Sequence, residues 1–288
     1  MKNTLLRRSV AILVMITIVT IGLFAETTSA GNVKFITAGP NVEAKLEAGY
    51  SLKIPMMQGD GPLFSGNNLK VKGLVGVSPV AATVSLDAIL TPIAVIELNL
   101  GASFGTGWDF GLLDLEGLRL STGGIGTALS SDQLGGMYYK VKAGAAFQFD
   151  TAAIFPGDWT SVVLRTYHEL NYQGYTNADK NIAWEYETSG AMENGFNYKG
   201  EYLVGYQMPI KLNMVAVLLE TYAFDMFPVT AHPFLYDLGL VMNYAFTDSL
   251  NLTVIPQVTT VQKDAVTREI SYKDLSFKRV ALMLNYSF

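Results

Sequence analysis

The last eleven residues, Lys278 to Phe288, constrain the fold more than any other stretch. Val280, Leu282, Leu284, Tyr286 and Phe288 alternate with Arg279, Ala281, Met283, Asn285 and Ser287. A period of two places the two sets on opposite faces of one strand. One face is apolar, the other mostly small or polar, and the chain stops on an aromatic residue. In water such an edge invites aggregation. A barrel closed in a lipid bilayer satisfies both the edge and the apolar face.

The same alternation recurs along the chain, and ten strands are the best count, with twelve as the alternative. Val42 to Ile54 places Leu46, Tyr50 and Leu52 opposite Glu43, Lys45, Glu47, Ser51 and Lys53. Leu69 to Leu90 changes phase at Ser78-Pro79, where a bulge or bend flips the faces of one bent strand. Its first half, with Lys70 and Lys72, is expected to stand above the membrane. Ala94–Phe104, Tyr139–Phe149, Thr160–Tyr172, Tyr198–Met208, Phe234–Phe246 and Leu250–Gln262 follow; Asn213–Phe224 is apolar on both faces, so its phase is open. A further strand hidden in Gly105–Met137 would give twelve. Short connections alternate with long ones, Pro55–Asn68, Gly105–Met137, Gln173–Asn197, Asp225–Pro233 and Lys263–Ser276. This order puts both termini on the short-turn side and all five long loops on the other. Aromatics gather at both strand ends, Phe149, Phe155, Trp159, Tyr244 and Phe246 at one, Phe104, Trp108, Tyr138, Tyr139, Tyr172, Phe224 and Phe234 at the other.

Composition supports a membrane setting without a helical span. Half the residues are hydrophobic and only 16% are charged, yet the apolar positions are spread out. The net charge of −5 excludes a basic footprint for nucleic acid. At the other end of the chain, Lys2, Arg7 and Arg8 precede the apolar run Ser9–Phe24, and Thr28-Ser29-Ala30 offers small residues for cleavage. This predicts a secretory signal over residues 1–30 and one mature domain over 31–288, in preference to an N-terminal anchor. The absence of cysteine excludes disulfides and a lipidated N-terminus.

With its signal-like N-terminus and its terminal strand Val280, Leu282, Leu284, Tyr286 and Phe288, the chain resembles bacterial outer-membrane β-barrel proteins. The resemblance implies an all-β, antiparallel up-and-down transmembrane barrel, exported to the outer membrane, with no cofactor. It also implies contact with outer-membrane lipids, periplasmic chaperones and the barrel assembly machinery, which reads the terminal strand.

Fourteen charged residues are expected to point inward: Glu43, Lys45, Glu47, Lys53, Asp87, Glu97, Lys140, Lys142, Arg165, Glu169, Lys199, Glu201, Asp237 and Arg279. Seven are basic and seven acidic, a balance that fits mutual pairing or a wet interior. Arg279 is expected to face Glu43 and Glu47 across the strands that close the cylinder. The long loops carry Asp109, Asp114, Glu116, Asp132, Asp179, Glu185, Glu187 and Glu193, which predicts an acidic outer surface. The only histidines are His168 and His232. His168 and Glu169 are neighbours on a strand and face opposite ways, and no zinc-protease or omptin-like catalytic set is present. The leading expectation is therefore a narrow, porin-like passive channel for small polar solutes, not an enzyme. A closed barrel that binds through its loops is the first alternative, and a barrel hydrolase the second.

Overall fold

The computed structural model describes residues 27–40, 43–112, 115–132, 134–187, 190, 192–224, 234–264 and 269–288. Twelve long antiparallel strands close into one barrel. They are β1 (Thr28–Gly39), β2 (Glu43–Pro55), β3 (Asn68–Val77), β4 (Ala81–Ile93), β5 (Ile96–Gly107) and β6 (Tyr138–Asp150). They continue as β7 (Val162–Tyr175), β8 (Gly195–Gln207), β9 (Leu212–Ala223), β10 (Leu235–Ala245), β11 (Leu250–Gln262) and β12 (Ile270–Ser287). Each strand pairs with its neighbours in sequence, and β12 pairs with β1 from Asn32↔Ser287 to Gly39↔Val280. The last rung is closed by the backbone of Gly31 and Phe288, N–H to O at 2.8 Å one way and 2.9 Å the other.

Twelve is the larger of the two expected counts, and the extra strands lie elsewhere than in Gly105–Met137. Ser78-Pro79 is a hairpin and not a bend. The Ser78 N–H bonds the Ala81 carbonyl at 2.8 Å. Ser at the first and Pro at the second position suit a tight turn. The phase change in Leu69–Leu90 is thus the ordinary result of a reversal, in which Val77 pairs with Ala82 and Val75 with Val84. The other addition is β1, whose first residues overlap the expected cleavage site. Its alternation is weak, because Ile36 and Ala38 share the inner face with Asn32 and Lys34. The apolar run and small residues expected of a signal cover residues 1–26 and the start of β1; residues 1–26 lie outside the described residues.

Two strands added before Thr91 leave the direction of every later strand unchanged but correct the first loop. Residues 56–67 sit at the rim that carries Phe288, not at the long-loop rim. The Asn67 side chain donates to the Pro92 carbonyl at 2.6 Å, and the Ala94 N–H bonds Leu63 O at 2.9 Å, which ties this loop to the β4–β5 turn. Lys70 and Lys72 accordingly lie within the barrel wall and line a cavity, correcting their expected place above it.

Polarity is inverted relative to a soluble barrel. Leu100 and Leu86 stand 65% and 59% exposed on the outside, whereas the carboxylates of Asp237 and Glu169 are almost fully buried inside. Large outward Leu, Val and Phe recur on every face, including Leu46, Val84, Phe147, Val204 and Val217. Only an apolar solvent makes that arrangement favourable over such an area. Aromatic pairs mark both rims, with Tyr286–Phe288, Tyr244–Phe246 and Trp159–Tyr206 at one end. Tyr139–Tyr172–Phe196 and Tyr198–Phe234 mark the other. Tyr138 and Phe224, expected in that second belt, instead line the interior cavity.

Candidate functional site

The barrel interior is the candidate site, and strand number sets its width. Twelve strands about 4.8 Å apart and tilted about 40° enclose a backbone cylinder roughly 24 Å across. Eight strands would give about 16 Å, which side chains fill. Four more strands leave space along the axis, provided the inward side chains lie flat.

They do lie flat, and inward glycines make room for them. Lys142 of β6 pairs with Asp87 of β4 at 2.8 Å, spanning the intervening β5. The β5 residue opposite both is Gly101. A Cβ there would collide with the Asp87 carboxylate and sit 2.5 Å from Lys142 Cε. Gly76 plays the same part under Lys45, and Gly144 under the Tyr167 ring. Gly101→Ala is therefore expected to lower stability by about 1–3 kcal/mol, as overpacking does. Urea unfolding in lipid vesicles measures this. Gly73→Ala, whose Cβ meets nothing within 4 Å, serves as the neutral comparison.

Ion pairs run round the wall. Lys34–Glu47 (3.5 Å), Lys140–Glu169 (2.8 Å) and Arg279–Glu43 (3.1 Å) join neighbouring or near-neighbouring strands. Arg165 bridges Glu97 (4.0 Å) and Glu201 (3.3 Å), and Lys199 bridges Glu201 (2.6 Å) and Glu220 (3.3 Å). Arg279 faces Glu43 as expected across the closing strands, while Glu47 is taken by Lys34. Asp237 pairs with Lys278, which would face outward if the alternation from Val280 to Phe288 ran back unbroken. A β-bulge explains this: Gln257 opposes Arg279 and Val258 opposes Phe277, so Lys278 is the extra residue and turns inward beside Arg279. Most of these charged side chains keep 15–35% of their surface exposed, so the lumen is wet.

Of the fourteen residues expected in the lumen, Glu43, Lys45, Lys140, Lys199, Asp237 and Arg279 border the interior cavity, Lys53 lies at the terminal rim, and Glu47, Asp87, Glu97, Lys142, Arg165, Glu169 and Glu201 join the wall pairs. Lys34, Lys70, Lys72, Glu220 and Lys278 belong with them. Lys34 lies on the unforeseen strand β1, Lys70 and Lys72 on the strand expected to stand clear of the membrane, and Glu220 on the strand whose phase was open. Pairing fixes that phase, with Ala216, Leu218, Glu220 and Tyr222 inward and Val217, Leu219 and Thr221 outward. The Tyr222 ring then sits between the ammonium groups of Lys199 (5.7 Å) and Lys278 (5.9 Å).

The two longest loops fold together over the far mouth as a lid. Leu118–Ser121 of the β5–β6 loop pairs on one side with Leu129–Ser131 and on the other with Trp184–Tyr186 of the β7–β8 loop. Leu118, Tyr175, Trp184 and Met192 form its buried core with Ala81 of the β3–β4 hairpin. The Tyr186 ring stacks on Tyr138 at 4.5 Å and 6°. Its hydroxyl donates to the Ala82 carbonyl at 3.0 Å and lies 2.7 Å from Thr83 Oγ1. Glu187 meets Lys45 inside the barrel at 3.3 Å, and Glu185 pairs with Arg119. These two acids are thus withdrawn from the outer surface they were expected to charge. Beneath the lid lies a polar cavity of about 650 Å³, bordered by Lys45, Lys140, Lys199, Asp237, Lys278 and Arg279 among others.

Burial and the nearby Glu187 charge push the Tyr186 phenol up from 10 to about 12, against the opposing Thr83 contact. A raised folded-state value means that the lid gains stability below pH 10 and loses it as pH rises through about 12. An absorbance titration of tyrosine ionisation should count one fewer late-titrating phenol in Tyr186→Phe than in the wild type.

His168, the one histidine among the described residues, takes no part in the lumen. His168 faces outward, with Nδ1 2.6 Å from the Tyr198 hydroxyl, while Glu169 faces inward; His232 lies outside the described residues. Among the described residues, no group of three or more His, Asp or Glu is placed to hold a metal.

No family model and no curated protein sequence matches the chain. Solved structures do. CdiB from Acinetobacter baumannii aligns at 8% identity and a TM-score of 0.40, over 90% of this chain and 60% of that one. The chain thus spans less than two thirds of that protein's length. The NanC porin aligns at 8% identity and 0.41, over 90% of this chain and 98% of that one. The CymD monoaromatic hydrocarbon channel aligns at 10% and 0.39, over 91% and 87%.

Proposed function

We propose that this protein is a passive channel of the bacterial outer membrane for small polar solutes, narrowed at its outer mouth by the two-loop lid. One observation carries the reading. Interior charges pair along the wall instead of across the axis, and glycines such as Gly101 give them space to do so. A barrel plugged by its own side chains would bring ion pairs across the lumen and bury them from water. Charged wall groups of this kind set selectivity in pores. Vesicle swelling tests the proposal. Reconstituted protein should admit glycine and small sugars and exclude a trisaccharide. Swelling no faster than that of protein-free vesicles would contradict it and favour the closed, loop-binding barrel.

Outer-membrane location, export through a cleaved signal and a mature start at Gly31 are part of the same proposal. So is recognition of Val280, Leu282, Leu284, Tyr286 and Phe288 by periplasmic chaperones and the assembly machinery. Cleavage after Ala30 would leave the Gly31–Phe288 rung at the seam intact, since both of its hydrogen bonds use residues from Gly31 onward.

A further inference from the structure

Cross-strand pairing on β2 and β3 places Lys53 directly opposite Lys70, and Lys72 two residues further along the same face. Like charges opposite one another in a ladder are destabilising. Everywhere else inside the barrel, each inward Lys or Arg has a carboxylate within 4.0 Å. Among the described residues these three lysines have none. The nearest acids are already engaged. Asp87 lies opposite Lys72 in register but holds Lys142 at 2.8 Å, and Glu47 holds Lys34 at 3.5 Å. The three lysines instead line a cavity of about 350 Å³ at the Phe288 end of the lumen, with Asn32 and Ser51 beside them.

We infer that this cavity binds a small multivalent oxyanion, a phosphate or a polycarboxylate, at the inner end of the lumen. Three ammonium groups around one cavity match a dianion or trianion, and lysine binds phosphate as a point charge. The Asn32 amide gives one hydrogen to Asn285 Oδ1 at 3.1 Å and keeps a second for the anion, while the Ser51 hydroxyl donates to the Ala30 carbonyl at 3.3 Å, a partner that cleavage after Ala30 would remove. The bound anion would relieve the Lys53–Lys70 opposition and complete the pairing that the rest of the wall achieves internally. Thr28, Ser29 and Ala30 also border the cavity, but the three lysines, Asn32 and Ser51 lie beyond the expected cleavage point. The inference deepens the channel proposal by giving its inner mouth an anion preference, yet binding can be measured without conductance.

The test is calorimetric titration of the detergent-solubilised protein, at low chloride, with inorganic phosphate, citrate and acetate. Phosphate and citrate are expected to bind saturably and acetate at least tenfold more weakly. The comparison of phosphate with citrate identifies which source the cavity prefers. Lys53→Gln/Lys70→Gln/Lys72→Gln together should weaken binding at least tenfold, while Lys263→Gln, in an exposed loop, should not change it. Should the triple variant not fold, Lys53→Gln and Lys70→Gln singly serve, each removing one of the opposed charges. Phosphate should also raise the melting temperature of the wild type above that in chloride of equal ionic strength, and lose that advantage in the variants. No saturable phosphate or citrate binding by the folded wild type, or undiminished binding by the variants, would overturn the site. Binding without conductance would leave the site standing and remove the channel.

Discussion

Trp184→Ala is expected to unlock the lid and raise single-channel conductance severalfold while the barrel stays folded. Trp184 is fully buried in the loop core, with ring centroids 5.9 Å from Tyr138 and 6.3 Å from Tyr175. Its backbone also bridges to Met192, at 2.8 and 2.7 Å. Removing a buried aromatic of this size costs about 3–5 kcal/mol. That loss falls on a small unit made of loop strands three to four residues long, which has little stability of its own to lose. The barrel strands contribute only Ala81, Tyr138 and Tyr175 to that cluster, so the wall survives. Loosening the lid also frees Glu187 from Lys45 and opens the cavity beneath to the outside. Conductance in bilayers, with protease sensitivity of the loops, measures both effects. Unchanged conductance in a variant whose loops are cut would mean that the lid does not narrow the path.

Glu169→Ala is expected to cost the barrel itself about 2–3 kcal/mol, the largest effect of any single lumen substitution. Glu169 is buried and accepts from Lys140 (2.8 Å), Tyr167 (2.8 Å) and Asn171 (3.0 Å). Deleting one partner of a buried pair leaves the other charge uncompensated, at about 3–5 kcal/mol when both are dry. Lys140 keeps some exposure to the wet lumen, which reduces the penalty. Glu169→Gln keeps one oxygen to accept from Lys140 and Asn171 and turns its amide N–H toward the Tyr167 hydroxyl, which can accept, and should cost about half as much. Denaturant midpoints in vesicles order the three proteins. Equal stability of Ala and wild type would show that the wall pairs carry no structural energy.

The barrel class and most of its phase were legible because a period of two survives wherever one face meets lipid. Leu282, Leu284, Tyr286 and Phe288 needed only that rule. The rule fails where a local feature resets it. Lys278 reads as outward until the bulge at Gln257 turns it in. Ser78-Pro79 gives the right phase change but does not distinguish a bend from a hairpin. β9 carries Ala216 and Leu218 on its lumen face, so hydrophobicity alone left it unassigned. The lid was beyond reach for another reason. Its Trp184 and Leu118 come from two loops 66 residues apart, and no periodicity links them. The pairing of the lumen charges was foreseen as a balance of signs. The exception, Lys53 opposite Lys70, required the register of β2 on β3.

Current through single molecules in a planar bilayer tests most directly whether the lumen is open and wet. Purified wild type is expected to give discrete steps, larger in Trp184→Ala, with a reversal potential in a salt gradient that shows anion preference. That preference should fall in the triple lysine variant. A folded wild type and a folded Trp184→Ala variant that both insert and pass no current would contradict the account.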